Sequence, residues 1–164
     1  MARAWLFGDD LDTDQILPGR YAPFMVGQDT FQNYAFHDAR PGFAKEVREG
    51  DILVGGENFG CGSSREYAPA ALKKLGIRGV VAKSFARIFF RNCVNLGIPV
   101  VESADAVALV KDGDTVTLDL AAGQLRCPAG VATLRALAPF AQEILGAGGV
   151  VAYLRAHGDF PKVS

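Results

Sequence analysis

The sequence predicts an α/β protein with a parallel sheet at its core. Apolar runs at 52–55, 79–82 and 98–101 have the length of buried strands. Helical patterns at 66–75 and 86–96 separate these runs, and a glycine follows each of the two helices. A strand, a helix and a second strand in succession usually form a crossover unit whose strands are parallel. Two consecutive units therefore indicate a parallel sheet that is covered by helices.

The remaining segments extend this core in both directions along the chain. Residues 3–7 predict a first strand, which a glycine and two aspartates end. The run 115–119 alternates between apolar and polar residues, which predicts a half-buried strand, and 124–127 can return from it as a hairpin. Further helical segments are predicted at 31–36, 41–49, 139–145 and 150–157.

Length and composition are typical of one globular domain, which we expect to span residues 1–164. Apolar residues make up 49% of the chain and charged residues 21%, with a formal net charge of -1. The sequence has no basic block that would favour nucleic acid and no apolar run long enough to cross a membrane. Asp9 and Asp10 interrupt the N-terminus before it reaches the apolar length of a secretory signal, so we expect a cytoplasmic protein.

The cysteines and histidines do not predict a metal site in this chain. Cys61, Cys93 and Cys127 are far apart, and none of them forms a Cys-x-x-Cys pair. His37 and His157 have no partner at the spacing of metal ligands. We therefore expect no cofactor or metal bound by this chain itself.

The segment 60–66, Gly-Cys-Gly-Ser-Ser-Arg-Glu, is the strongest candidate for a functional site. It joins a strand to a helix through a glycine-rich turn, an arrangement that often binds anions because the first helical N–H groups lack partners. An arginine fork suits a carboxylate. The same residues allow a structural interpretation, because Ser63 and Glu66 have the spacing of a capping box. Pro69 argues for a helix that begins later, and the residues alone leave both interpretations open.

Three segments together resemble one family. They are Asp-Thr-Asp-Gln-Ile-Leu-Pro at 12–18, the glycine-rich motif at 60–66, and Lys-Ser-Phe-Ala-Arg-Ile-Phe-Phe-Arg-Asn at 83–92. In this order and at these separations they resemble the small subunit of 3-isopropylmalate dehydratase and its relative homoaconitase. That subunit corresponds to the swivelling C-terminal domain of aconitase. The resemblance implies an aconitase-like swivel domain, with a β/β/α layered, barrel-like core.

The resemblance also implies an activity and a partner. The chain would be the small subunit of a hydro-lyase that isomerises a 2-hydroxy acid by dehydration and rehydration. A large subunit would carry the [4Fe-4S] cluster in a heterodimer or heterotetramer, and the small chain alone would be inactive. The substrate would be a small di- or tricarboxylate. From another class, a stand-alone carboxylate-binding regulatory domain could use the same anion site.

The site residues follow from the resemblance, motif by motif. Ser63 would be the base, acting as an alkoxide that helix-start N–H groups and a guanidinium stabilise. Ser64 and Arg65 would bind the substrate carboxylate, and Gly62 would let the backbone approach the ligand closely. Thr13 and Asp14 match the family's Thr-Asp pair near the cleft, which implies that they too bind substrate. The structural alternative for this pair is a helix or turn cap by Asp12 or Thr13.

A further segment would contact the variable group of the substrate. It is a predicted loop at 21–26 together with the residue before it: Arg20, Tyr21, Ala22, Pro23, Phe24, Met25 and Val26. We expect this loop to be mobile in the isolated chain. Residues 21–26 carry no charge, which favours the isopropyl group of 3-isopropylmalate. A third carboxylate, as in homoaconitate, would prefer a cation, which Arg20 could supply. The segment therefore favours leucine biosynthesis, with a homoaconitase of lysine biosynthesis as the alternative.

Overall fold

The strands of the protein form one mixed sheet. The computed structural model describes residues 2–63 and 65–161. Its strands are β1 (Ala2–Leu6), β2 (Ile52–Gly55), β3 (Gly79–Ala82), β4 (Val100–Glu102), β5 (Thr115–Asp119), β6 (Gln124–Cys127) and β7 (Gly130–Thr133). They lie in the order β4-β3-β2-β1-β5-β6-β7. The first four strands pair in parallel, as the sequence predicts. β5 pairs antiparallel with β1, and β6 and β7 continue the antiparallel half.

Short helices surround this sheet. They are α1 (Thr13–Ile16), α2 (Pro23–Val26), α3 (Phe43–Glu46), α4 (Tyr67–Lys74), α5 (Arg87–Asn95), α6 (Ala104–Leu109), α7 (Pro139–Ala147) and α8 (Val150–His157), with 3₁₀ turns at Gly19–Tyr21 and Phe31–Tyr34. None of the helices in the described residues has the length and apolar character needed to span a bilayer.

Both faces of the parallel half are buried, which gives the molecule three layers. Successive residues of a strand point to opposite faces. Trp5 and Leu53 accordingly belong to a core shared with α4, α5, α7 and α8. Ala4 and Ile52 belong to a second core, to which the antiparallel strands and α6 contribute. The antiparallel half therefore covers one face of the parallel half, and the helices α4, α5, α7 and α8 cover the other face. This arrangement confirms the predicted β/β/α layers and barrel-like core.

The helix α6 and the strand β7 have no counterpart in the sequence predictions. The helix α6 follows Ser103, whose hydroxyl oxygen accepts a hydrogen bond from the Ala106 N–H at 3.1 Å. This is an ordinary N-cap, and it was a usable signal in the sequence. The strand β7 pairs with β6 and packs against α6. Its exposed Val131 and buried Ala132 alternate over too few residues to predict a strand.

The segment 21–26 is more regular than the predicted loop. Pro23 begins α2, and Gly27, with φ of 108°, ends it. Proline fits the first helical position because its missing N–H would have no helical partner there. The helices predicted at 31–36 and 41–49 are also shorter in the structure, a 3₁₀ turn and the four residues of α3.

A buried carboxylate holds the start of the sheet together. Asp51 is 4% exposed and directly precedes β2. Its two oxygens accept hydrogen bonds of 3.0 Å from the Arg3 N–H, the Arg48 N–H and the indole N–H of Trp5. These bonds connect the β1 and β2 strands to the turn before β2. A buried charge is tolerated here because several donors replace its hydration.

Removal of this carboxylate should destabilise the fold. In Asp51→Ala the three N–H groups would lose their acceptor in a site that excludes water. We expect the free energy of unfolding to fall by about 3 kcal/mol, which lowers the melting temperature by about 6–12 °C. Thermal unfolding of the purified chain measures the change. The exposed Asp29 is the matched control, and Asp29→Ala should stay within about 0.5 kcal/mol of the wild type. Equal losses in the two variants would contradict the role assigned to Asp51.

Candidate functional site

The candidate site lies beyond the carboxyl ends of β1 and β2, where two segments continue the parallel pairing. Backbone hydrogen bonds of 2.8–3.1 Å join residues 8–13 to residues 56–61: Gly56 N to Gly8 O, Asp10 N to Glu57 O, Gly60 N to Leu11 O, and Thr13 N to Cys61 O. The glycine-rich motif therefore has a fixed position relative to the start of α1. Loops at the carboxyl ends of parallel strands are a common place for ligand sites.

The glycines of the motif are required by close contacts within the protein. Gly60 and Gly62 have φ of 82° and 98°, where other residues are strained. A Cβ at Gly60 would lie 2.1 Å from the Phe89 ring, and one at Gly62 would lie 2.5 Å from an Asp12 carboxylate oxygen. The close approach present in the structure is therefore to these side chains. A contact of Gly62 with substrate remains a prediction.

The capping box that Ser63 and Glu66 could form is absent. The helix α4 begins at Tyr67, and its N-cap, Glu66, makes no side-chain capping bond. Pro69 occupies the third helical position, where its missing N–H leaves no helical bond unmade. The capping interpretation of the motif is thus wrong. Ser63 and Arg65 lie in the non-helical segment before α4.

A capping box forms instead at the start of α1. The Asp12 side chain accepts a bond of 2.6 Å from the Asp14 N–H, and Gln15 Oε1 accepts one of 2.9 Å from the Asp12 N–H. Asp12 is therefore the cap that the sequence allowed as an alternative role for this segment. This cap fixes the first turn of the helix that carries Thr13.

Ser63 and Thr13 contact each other through their hydroxyl groups. The Thr13 Oγ1 donates to the Ser63 carbonyl oxygen at 3.2 Å and lies 3.4 Å from the Ser63 Oγ. Thr13 is only 4% exposed, whereas Ser63 is exposed at the surface of the cleft. The predicted base therefore has a buried hydroxyl partner on one side and solvent on the other.

Asp14 and Arg65 meet at Gly19. The Asp14 carboxylate accepts a bond of 2.9 Å from the Gly19 N–H. The Arg65 guanidinium lies against the same glycine, since a Cβ there would come within 2.7 Å of an Arg65 nitrogen. In the part of the chain that the structure describes, no carboxylate forms an ion pair with Arg65. Its positive charge is thus available to an anionic ligand.

These residues line one narrow cleft. Its described lining comprises Thr13, Asp14, Leu17, Gly19, Ala22, Ser63, Arg65, Tyr67 and Ala68. The sequence predicted five of these as site residues. It did not predict Leu17, Gly19, Tyr67 or Ala68 as site residues, although the last two directly follow the motif. The volume is about 10 Å³, room for about one water molecule.

Arg20 has a different environment from Arg65. Its guanidinium donates to the Asp38 carboxylate at 2.5 Å, and it lies 4.6 Å from the centre of the Tyr21 ring. The hydrogen bond to Asp38 is the main reason why the pKa of Arg20 is raised above its usual value. Tyr21 in turn stacks on Tyr34 at 4.2 Å. These contacts hold Arg20 outside the described lining of the cleft.

The segment 20–26, which was predicted to contact the variable group of the substrate, lies partly in the cleft and partly at the exposed surface. Ala22 is buried and lines the cleft, and Pro23 is buried beside it. Phe24 and Met25 are 71% and 60% exposed. Phe24 contacts the Tyr67 ring edge-to-face at 5.9 Å. The cleft is thus continuous with an exposed apolar surface.

The three cysteines do not converge. Cys93 lies on the buried face of α5, where burial raises the pKa of its thiol. Burial, followed by the charges of Asp12 and Asp10, raises the pKa of the Cys61 thiol. Cys127 ends β6, in the antiparallel half of the sheet. Within residues 2–63 and 65–161, no group of three or more His, Cys, Asp or Glu side chains could hold a metal, so these residues do not fit an iron–sulfur cluster.

One predicted site residue lies outside the described residues. Ser64 was predicted to bind the substrate carboxylate, and this role stays a prediction. Its neighbours Ser63 and Arg65 both line the cleft.

Comparisons with known proteins agree with this fold and motif arrangement. Residues 13–105 match the model of the aconitase C-terminal domain. The chain is 58% identical to the homoaconitase small subunit of Thermus thermophilus over 161 residues, which cover 98% of this chain and 99% of that protein. It is 53% identical to 3-isopropylmalate dehydratase small subunit 1 of Deinococcus radiodurans, covering 98% and 90% of the two chains.

A solved structure shows the same fold. The crystal structure of a 3-isopropylmalate dehydratase from Methanocaldococcus jannaschii superposes with a TM-score of 0.89 at 41% identity. The match covers 96% of this chain and 93% of that one. The fold, the three motifs and these relatives agree: the chain belongs to the aconitase C-terminal domain family, among the small subunits of hydro-lyases named 3-isopropylmalate dehydratase and homoaconitase.

Proposed function

We propose that this chain is the small subunit of a hydro-lyase of the 3-isopropylmalate dehydratase type, active only with a large subunit. The observation that carries the proposal is the cleft lined by both Ser63, whose hydroxyl contacts Thr13, and Arg65, whose guanidinium makes no ion pair among the described residues. We propose that this one domain spans residues 1–164 and that the protein is cytoplasmic.

Each residue of the cleft has a role that its chemistry suits. The planar Arg65 fork binds a substrate carboxylate and neutralises its charge. Asp14 fixes the Gly19 N–H and thereby the backbone on which Arg65 rests. With the carboxylate held there, Ser63 as an alkoxide takes a proton from the neighbouring carbon of the substrate and becomes a neutral hydroxyl, and the C–H electron pair stays with the substrate. The same proton can return during rehydration.

The large subunit would complete the cleft. Ligand sites usually enclose about 300–1,000 Å³, whereas the described part of this cleft holds about 10 Å³. This difference favours a subunit that contributes half of a site over a stand-alone carboxylate-binding domain. We infer that the large subunit carries the [4Fe-4S] cluster, which would supply the Lewis acid for departure of the hydroxyl group.

The apolar wall of the cleft favours 3-isopropylmalate as substrate. Leu17 and Ala22 line it, and Tyr67 joins it to the exposed Phe24. Arg20, the cation that could bind a third carboxylate of the substrate, forms a hydrogen bond with Asp38 instead. The 58% identity with the Thermus thermophilus homoaconitase small subunit keeps homoaconitase as the second candidate.

Loss of the Ser63 hydroxyl tests the catalytic role. Together with the cluster-loaded large subunit, Ser63→Ala should lower kcat for enoate formation by about 10²- to 10⁴-fold, because the base is gone. Subunit assembly, measured by size-exclusion chromatography, should be unchanged because the substitution removes only one hydroxyl group from the surface of the cleft. Thr117→Ala, which removes an exposed hydroxyl from β5, is the control and should have wild-type activity. Normal turnover by assembled Ser63→Ala would refute the assignment.

Substrate preference provides a second test. Since Arg20 is paired outside the cleft, Arg20→Ala should change the ratio of kcat/KM for 3-isopropylmalate and homoisocitrate by less than about fivefold. Arg65→Ala should impair both substrates, because both present a carboxylate to this residue. The measurement compares initial rates on the two acids with the assembled enzyme. A selective loss of homoisocitrate turnover in Arg20→Ala would instead show that Arg20 binds the third carboxylate.

A further inference from the structure

The Thr13 hydroxyl contacts two oxygen atoms of the same residue. It lies 3.2 Å from the Ser63 carbonyl oxygen and 3.4 Å from the Ser63 Oγ. A threonine hydroxyl has a single proton and can donate to only one of these atoms at a time. While it donates to the carbonyl, its lone pair can accept the proton of the Ser63 hydroxyl. Thr13 therefore has two alternative hydrogen-bond states at one position.

The position of this hydroxyl is fixed by the backbone around it. Thr13 is the first residue of α1, and its N–H donates to the Cys61 carbonyl oxygen at 2.8 Å. Its own carbonyl accepts the Leu17 N–H at 2.9 Å. The side chain is 4% exposed, and water therefore has little access to it. A donor held in this way needs little reorganisation when charge develops next to it.

The surroundings of Ser63 make such a donor necessary. Asp12 lies against Gly62, and Asp14 lines the same cleft as Ser63. At Cys61, two residues before Ser63, burial and the charges of Asp12 and Asp10 raise the pKa of the thiol. The nearby carboxylates thus oppose a further negative charge at Ser63, although the positive charge of Arg65 partly offsets their effect. An alkoxide at Ser63 needs a direct hydrogen bond to compensate.

We propose that Thr13 is a positioning residue that switches its hydrogen bond from the Ser63 carbonyl to the Ser63 Oγ when Ser63 becomes an alkoxide. This inference rests on the proposed role of Ser63 as the base. The Ser63 proton leaves to solvent, and the Thr13 O–H rotates to donate to the resulting anion. The alkoxide then forms an O–H bond with the proton of the substrate carbon, and the C–H electron pair stays with the substrate. Thr13 keeps its own proton throughout.

The test compares variants that differ only by a hydroxyl group. Thr13→Val preserves the shape of the side chain and removes the donor, and the pair Thr13→Ser and Thr13→Ala repeats the comparison without the methyl group. In the assembled enzyme, kcat should be about 100-fold lower in Thr13→Val than in the wild type, and about 100-fold lower in Thr13→Ala than in Thr13→Ser. KM should change by less than about threefold, because Thr13 does not bind substrate in this scheme. Thr117→Val, on the exposed face of β5, should behave as the wild type.

An isotope effect separates this role from a structural one. With substrate deuterated at the carbon that loses its proton, the primary isotope effect on kcat should increase in Thr13→Val and return towards the wild-type value in Thr13→Ser. A structural defect would lower the amount of assembled enzyme and leave the isotope effect unchanged.

Three outcomes would overturn the proposal. These are full kcat in Thr13→Val, equal impairment of Thr13→Ser and Thr13→Ala, and an unchanged isotope effect in a slow variant. Ser63→Ala, measured in parallel, distinguishes the causes. If Ser63→Ala is inactive and Thr13→Val has normal activity, only the proposed hydrogen-bond switch at Thr13 is refuted. If Ser63→Ala retains full activity, the role of Ser63 fails and the switch with it.

Discussion

The continuation of the β1–β2 pairing beyond the sheet is the constraint on which the site depends. Its four backbone hydrogen bonds join segment 8–13 to segment 56–61, and the last of them, from Thr13 N to Cys61 O, ends next to Ser63. Asp10 and Asn58 both have positive φ in these segments, and their side chains bond to each other at 3.2 Å. Asp and Asn tolerate this conformation better than most residues. Two distant parts of the chain thus hold a serine and a threonine in contact.

The electrostatics of the cleft depend on a balance between one free cation and several carboxylates. Arg65 makes no ion pair among the described residues, whereas Asp12 and Asp14 are used in caps and turns. An anionic substrate is therefore attracted to one point and repelled elsewhere, which favours one orientation of its carboxylate. Arg20 shows the contrast: its charge is neutralised by Asp38. Two arginines near the cleft thus differ in availability, because among the described residues Arg20 forms an ion pair with a carboxylate and Arg65 does not.

Much of the fold could be predicted because its signals are local. The observed bounds of β2 and β3 equal the predicted ones, since each is a short apolar run between turn residues. The strand β7 escaped prediction because it is defined by its pairing with β6 and its packing against α6 and not by a long local pattern. The Ser63–Glu66 capping box failed because Pro69 moves the start of α4 to Tyr67. Local spacing could not decide where that helix begins.

By itself the sequence determined the α/β class, the order of most elements and, through the resemblance of three motifs, the family and its candidate residues. Backbone preference and hydrophobic pattern are sufficient for the fold class and the order of elements. The family and the candidate residues instead followed from the likeness of the motifs to a known family. Only the tertiary structure decided that Thr13 touches Ser63, and that among the described residues Arg20 forms an ion pair and Arg65 does not. These are contacts between residues up to 50 positions apart. Their geometry depends on how the strands pair, which no local segment contains.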